Sequence, residues 1–96
     1  MSAYIVGRMR ILNRDWMDEY FSQVPALIEA HGGRFLVKGG EPGQLEGSDT
    51  LPDAAFILHF PDRASAEAFW HSDAFAPLIE LRQTGSVLEA QLYSGV

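Results

Sequence analysis

Four stretches of alternating apolar and polar residues, interleaved with two stretches of helical period, predict an α+β domain in the order βαββαβ. The segments between them carry Gly, Pro, Asn or Asp, and 96 residues are the length of one domain. Strands and helices in this order build a four-stranded antiparallel sheet with the helices on one face. The other face is left uncovered.

Residues 3–12 form the first strand, with Tyr4, Val6, Arg8 and Arg10 on one face and Ile5, Gly7, Met9 and Ile11 on the greasier one. From Arg14 the period lengthens. Trp16, Tyr20, Val24, Leu27 and Ile28 share a helical stripe, with Asn13 placed to cap the start and Gly32 to end the helix in a left-handed conformation. Pro25 lies inside this pattern and is expected to kink the helix or split it near Gln23, because its ring removes a donor and crowds the preceding turn. "RFLVK" is the second strand. "GGEPGQLEGSDTLPD" is a Gly/Pro-rich connection in which Gln44 to Glu46 are expected to extend briefly, and "AAFILHF" is the third strand, stopped by Pro61.

Asp62 is placed to cap the second helical region. There Ala66, Phe69 and Trp70, then Phe75, Leu78, Ile79 and Arg82, form two pieces with a break at Ser72 and Asp73 and Pro77 in the first turn of the second piece. Gly85 ends it. "VLEAQLY" closes the chain as the fourth strand, which completes the ferredoxin-like, or split βαβ, arrangement.

Composition narrows the function. With 13 acidic against 7 basic side chains, a formal charge of −6 and scattered cations, the electrostatic footprint of nucleic-acid binding is missing. No stretch approaches the ~20 apolar residues of a membrane span, and the start "MSAYIVGRMRIL" lacks the apolar run of a signal peptide. The absence of cysteine excludes disulfides and thiolate ligands and is compatible with a reducing cytoplasm, the expected location. An apolar share of 47% in so short a chain leaves surface to bury against a second copy, so a homodimer is expected.

In "HGGRFLVKGGE" two glycine pairs flank the second strand. A phosphate loop needs glycines between a strand and a helix N-terminus, and neither pair satisfies that. The first pair follows a helix, which it can cap. The second is expected to form a bulge or sharp bend at the strand's end, with one glycine in a left-handed or bulged conformation.

"VPALIEAHGGRFLVKGGEPGQLEG", "ILHFPD", "AFWHSDAFAPLIELR" and the terminal "GV" together resemble the family catalogued as domain of unknown function 1330, in the dimeric α+β barrel superfamily. The most specific matches are the glycines at 32, 33, 39 and 40, Glu46 with Gly47, Phe60 with Pro61, Trp70, Ser72, Leu78 and Arg82. The resemblance implies a ferredoxin-like protomer whose sheet pairs across a dimer, with a cavity between sheet and helices or between subunits. It implies no established reaction. The superfamily includes cofactor-independent monooxygenases, haem-degrading enzymes and muconolactone isomerases, whose catalytic motifs are not matched here. Two positions depart from the family pattern: Phe75, where Tyr is common, and His59, where an acidic residue is common.

His59 is the candidate general base, since imidazole titrates near neutral pH. Alternation places it opposite the helix-facing Phe56, Leu58 and Phe60, beside Ile57 and with Arg8, Lys38, Glu89 and Gln91 of neighbouring strands. The alternative is a histidine hydrogen-bonded within a dimer interface. His31 reads as a helix-capping group and His71 as exposed; the three histidines lack metal-ligand spacing, and no metal or other cofactor is expected. Arg82 is expected to clamp Glu46 or, alternatively, to bind a ligand carboxylate. Trp16, Phe69 and Trp70 either line an aromatic pocket or fill the core. The functional reading is a small homodimeric protein acting without a cofactor on a small, partly apolar molecule, with His59 as base and Arg8 or Arg82 holding an anionic group. A non-catalytic ligand-binding or assembly module is the alternative.

Overall fold

A computed structural model describes residues 1–96. In chain order the elements are β1 (Ala3–Ile11), α1 (Met17–Ala30), β2 (Arg34–Gly39), β3 (Ala54–Phe60), α2 (Arg63–Trp70), α3 (Ala76–Gln83) and β4 (Ser86–Ser94). The sheet runs β2-β3-β1-β4 with every pair antiparallel, and all three helices cover one face. The fold is the ferredoxin-like α+β arrangement. Two layers make a slab 16 Å across its thinnest dimension.

The greasier face of β1 enters the core as alternation requires: Ala3, Ile5, Gly7 and Met9 are buried, while Arg8 and Arg10 are exposed. Trp16, Tyr20, Val24 and Ile28 meet them from the α1 side, Ala66 and Phe69 from α2, and Phe75 and Leu78 from the α3 side. Gly7 has a specific use: the Phe56 ring of its cross-strand partner lies where a side chain on residue 7 would stand.

Local signals decide where the helices end. Gly32 takes φ +79° after α1; its N–H donates to the Glu29 carbonyl and that of Gly33 to the Ile28 carbonyl, the two bonds of a Schellman cap. Asp62 caps α2 by accepting from the Ser65 N–H at 2.7 Å. Ser72 makes the break between α2 and α3, its hydroxyl donating to the Phe69 carbonyl and accepting from the Phe75 N–H.

Four expectations about local backbone structure are corrected. Asn13 caps the turn preceding α1, accepting from the Asp15 N–H, and the helix itself begins at Met17 without a side-chain cap. Pro25 does not split α1, which is continuous from Met17 to Ala30. Gln44 to Glu46 form no strand. The irregularity of β2 lies between Phe35 and Val37, at Leu36, rather than at Gly39 and Gly40, neither of which has a positive φ; the left-handed residue at that corner is Glu41, with φ 59°.

The extra residue at Leu36 matters because strand side chains alternate, so one inserted residue exchanges the faces of everything beyond it. Arg34 is paired with His59 on the open face, but Lys38 is paired with Phe56 and stands on the helix side. This corrects the expected placement of Lys38 beside His59. The open face carries Tyr4, Val6, Arg8, Ile57, His59, Val37, Val87, Glu89, Gln91 and Tyr93, by register, and Val37, Val87 and Tyr93 are about half exposed.

Candidate functional site

Between α1 and the helix-facing side of the sheet lies a cavity of about 300 Å³. This is the lower end of the ~300–1,000 Å³ range of small-molecule sites. Most of its walls are apolar: Met9 and Ile11 of β1, Val24 and Ile28 of α1, Phe56 and Leu58 of β3, with the aromatic rings of Trp16, Phe69, Trp70 and Phe75. The ionisable side chains that line it are Arg14, Tyr20, Lys38 and Asp53.

The Leu36 bulge delivers Lys38 to this cavity, where its ammonium sits 4.3 Å from the centre of the Phe21 ring and 5.3 Å from that of Phe35. Gly39 and Gly40 follow as part of the lining. Nothing lies within 4 Å of where a Gly39 Cβ would be, so this glycine keeps a space open rather than turning a corner. Asp53, on the far side of the 40–53 connection, is already engaged: its Oδ2 accepts from the Ile11 N–H at 2.8 Å, and its own N–H donates to the Met9 carbonyl.

Tyr20 and Trp70 connect the cavity to a buried cation. The Arg82 guanidinium lies 5.9 Å from the centre of each ring, and the residue is 3% exposed. Its Nε makes no hydrogen bond, and the expected clamp to Glu46 is not formed: Glu46 lies in the exposed connection. Burial pushes the Tyr20 phenol above its ordinary pKa, an effect that the neighbouring guanidinium opposes. Trp70 both lines the cavity and packs against the core, and Arg82 stands one ring behind the cavity wall.

His59 and Arg8 lie elsewhere. Both face away from the helices, four residues apart along adjoining strands by register. His59 Nε2 is 2.9 Å from the Ser2 hydroxyl, its ring meets Tyr4 edge-on at 5.4 Å, and no carboxylate bonds to it. Arg8 lines a groove of about 320 Å³ with Arg10, Leu51, Val87 and Glu89, more polar in its lining than the cavity under α1. His31 ends α1, with Nδ1 2.9 Å from the Leu27 carbonyl, and His71 is exposed after α2. No group of three or more His, Asp or Glu side chains is close enough to hold a metal ion.

A family model described as "Domain of unknown function (DUF1330)" matches residues 2–96. The chain belongs to that family. No curated protein matches it. Among solved structures, this DUF1330 chain is similar to a protein of unknown function from Rhodopseudomonas palustris, with TM-score 0.81, 15% identity, and coverage of 99% of this chain and 82% of the other. It is also similar to SnoaB, a cofactor-independent oxygenase from Streptomyces nogalater, with TM-score 0.70, 16% identity, and coverage of 99% and 93%. A dimeric protein of unknown function with a ferredoxin-like fold from Bacteroides fragilis is similar at TM-score 0.61 and 9% identity, with coverage of 98% and 96%. At these identities the likeness is one of fold.

Sequence reasoning missed Arg14, Lys38 and Asp53 as cavity residues and read Tyr20 only as part of an apolar stripe. The available signal was a phenol on the buried face of the helix that follows Trp16. It becomes distinctive only once Arg82 is known to lie beside it.

Proposed function

We propose that this DUF1330 protein is a homodimer, each protomer of which binds one small, largely apolar molecule between α1 and the sheet. The observation that carries this reading is the cavity: protein interiors pack to near-crystalline density, and about 300 Å³ of apolar space with polar groups at a few points is what a small-molecule site needs. Self-association is supported by the uncovered sheet face, with Val37, Val87 and Tyr93 half exposed, and by the dimeric protein of like fold.

The test is a panel of small aromatic and aliphatic compounds read by thermal shift and by the fluorescence of Trp16 and Trp70, which both line the cavity. Ala54→Phe, filling the cavity from β3, should abolish the response while leaving circular dichroism unchanged. Binding that survives this substitution would refute the site. Light scattering should report about twice the 10.6 kDa chain mass. A charge at the centre of the open face, Ile57→Glu, should give a folded monomer.

The same cavity supports a second reading, a cofactor-independent enzyme. It is favoured by the oxygenase of like fold and by two titratable side chains, Tyr20 and Lys38, at the cavity. Turnover separates the two readings: a bound compound recovered unchanged, with no oxygen consumed, leaves the binding module. His59, as the proposed base, would then have to act from the opposite face of the sheet, at the subunit interface.

A further inference from the structure

We infer that the cavity takes its ligand as an oxyanion, a phenolate, enolate or carboxylate on an apolar body, whose oxygen is held by the Tyr20 hydroxyl with the Arg82 guanidinium behind it. This rests on the ligand-binding reading of the cavity and names its substrate class.

Three observations converge. The first is Arg82 itself, a permanent cation that is 3% exposed, with an unpartnered Nε and no carboxylate within salt-bridge distance. A buried charge without a counter-charge is costly, and the two aromatic faces at 5.9 Å offset only part of that cost. An anion bound nearby would supply what the chain does not.

The second is Tyr20, which stands between that cation and the cavity. The Arg82 guanidinium lies 5.9 Å from its ring centre, and a guanidinium only donates, so it takes no proton from the hydroxyl of this cavity-lining residue and leaves that proton free for a ligand. A phenol is protonated at neutral pH, as a donor must be, and burial pushes the Tyr20 pKa further up despite the guanidinium beside it. A donor polarised by a cation and shielded from water makes a strong hydrogen bond to an anionic oxygen.

The third is the distribution of charge. The chain as a whole carries −6, yet the charged groups lining the cavity are Arg14 and Lys38 against Asp53, whose carboxylate already serves the Ile11 N–H. With Arg82 behind the wall, the cavity is a positive site in a negative protein. Such a site concentrates small anions and repels cations. Arg82 acts through Tyr20 and is a positioning residue.

The experiment uses 4-nitrophenol, whose phenolate is yellow, beside its neutral methyl ether 4-nitroanisole, at a pH where free 4-nitrophenol is half ionised. The wild type should bind the phenolate about tenfold or more tightly than the ether, and the bound probe should be wholly phenolate by its absorbance. Tyr20→Phe, which removes one oxygen and keeps the ring, should reduce both the preference and the spectral shift, leaving only what the surrounding cations supply. Arg82→Lys should retain a part of the shift that Arg82→Gln loses, with circular dichroism confirming that both fold. Equal binding of the two probes, or a bound probe still half ionised, would overturn the oxyanion and leave the cavity reading intact. Binding of neither probe would overturn both. Phenolate affinity unchanged in Tyr20→Phe would remove Tyr20 from the site.

Discussion

Replacing Gly7 with alanine tests whether the cavity wall depends on one missing side chain. The new Cβ would meet the Phe56 ring, with Cδ2 at 2.8 Å and two further ring carbons closer still. Because Phe56 is paired across the sheet with residue 7 and lines the cavity on its other side, relief requires its ring to swing into that space and give up its present packing. Overpacking of this kind costs about 1–3 kcal/mol. Against it, alanine restricts the unfolded chain and returns roughly 0.5–1 kcal/mol. A net loss of about 1–2 kcal/mol is expected, which at ~4–8 °C per kcal/mol for a domain of this size lowers Tm on the order of 5–15 °C. Thermal and urea unfolding would measure it. In the double variant Gly7→Ala with Phe56→Leu, the smaller side chain should relieve the strain, giving a coupling of about 1 kcal/mol or more. A Gly7→Ala protein as stable as wild type, or a strictly additive pair, would refute the reasoning.

Gly32→Ala should destabilise by about 1 kcal/mol or more, because φ +79° is a left-handed conformation; Gly39→Ala should stay within about 0.5 kcal/mol, since its Cβ meets nothing. Equal urea midpoints for these two variants would contradict the assignment of the helix cap. The bond from the Ser65 N–H holds the Asp62 carboxyl below its ordinary pKa, so its stabilisation is complete above the unfolded value and lost as pH falls through the lower, folded one. Asp62→Asn should therefore flatten the acid limb of the stability profile, and parallel profiles for the two proteins would count against the cap. His59→Gln should weaken the proposed dimer about fivefold or more, on the order of 1 kcal/mol, while leaving cavity ligands bound as before. An unchanged dimer with lost ligand binding would return His59 to the site.

The fold was legible because each strand of the sheet is covered on one face only, which prints a period of two into residues 3–11 and 87–93. The Gly32 cap and the Ser72 break were legible too, since each depends on a few neighbouring residues. The cavity was less so. Its charged residue Lys38 is placed by the Leu36 bulge, and a bulge adds a residue without any change of composition. Gly39 and Gly40 look like a corner in sequence, but in space Gly39 is an absence of a side chain beside a cavity and Gly40 passes close to the Asp53 carbonyl. Arg82 fits the end of a helix as written, where a cation is favourable. That it is sealed behind Tyr20 and Trp70, far from Glu46, follows from how three separate helices meet.

The strand order has a consequence for how the molecule can come apart. If the chain is divided within the exposed connection between β2 and β3, the first half carries β1 and β2 and the second β3 and β4, and the order β2-β3-β1-β4 interleaves them. Every hydrogen-bonded seam of the sheet then joins one half to the other, and neither half contains two strands that pair with each other. Neither half has a sheet to form alone. A chain nicked in this connection would remain a clasp of interlocked fingers, and its assembly would be all or none.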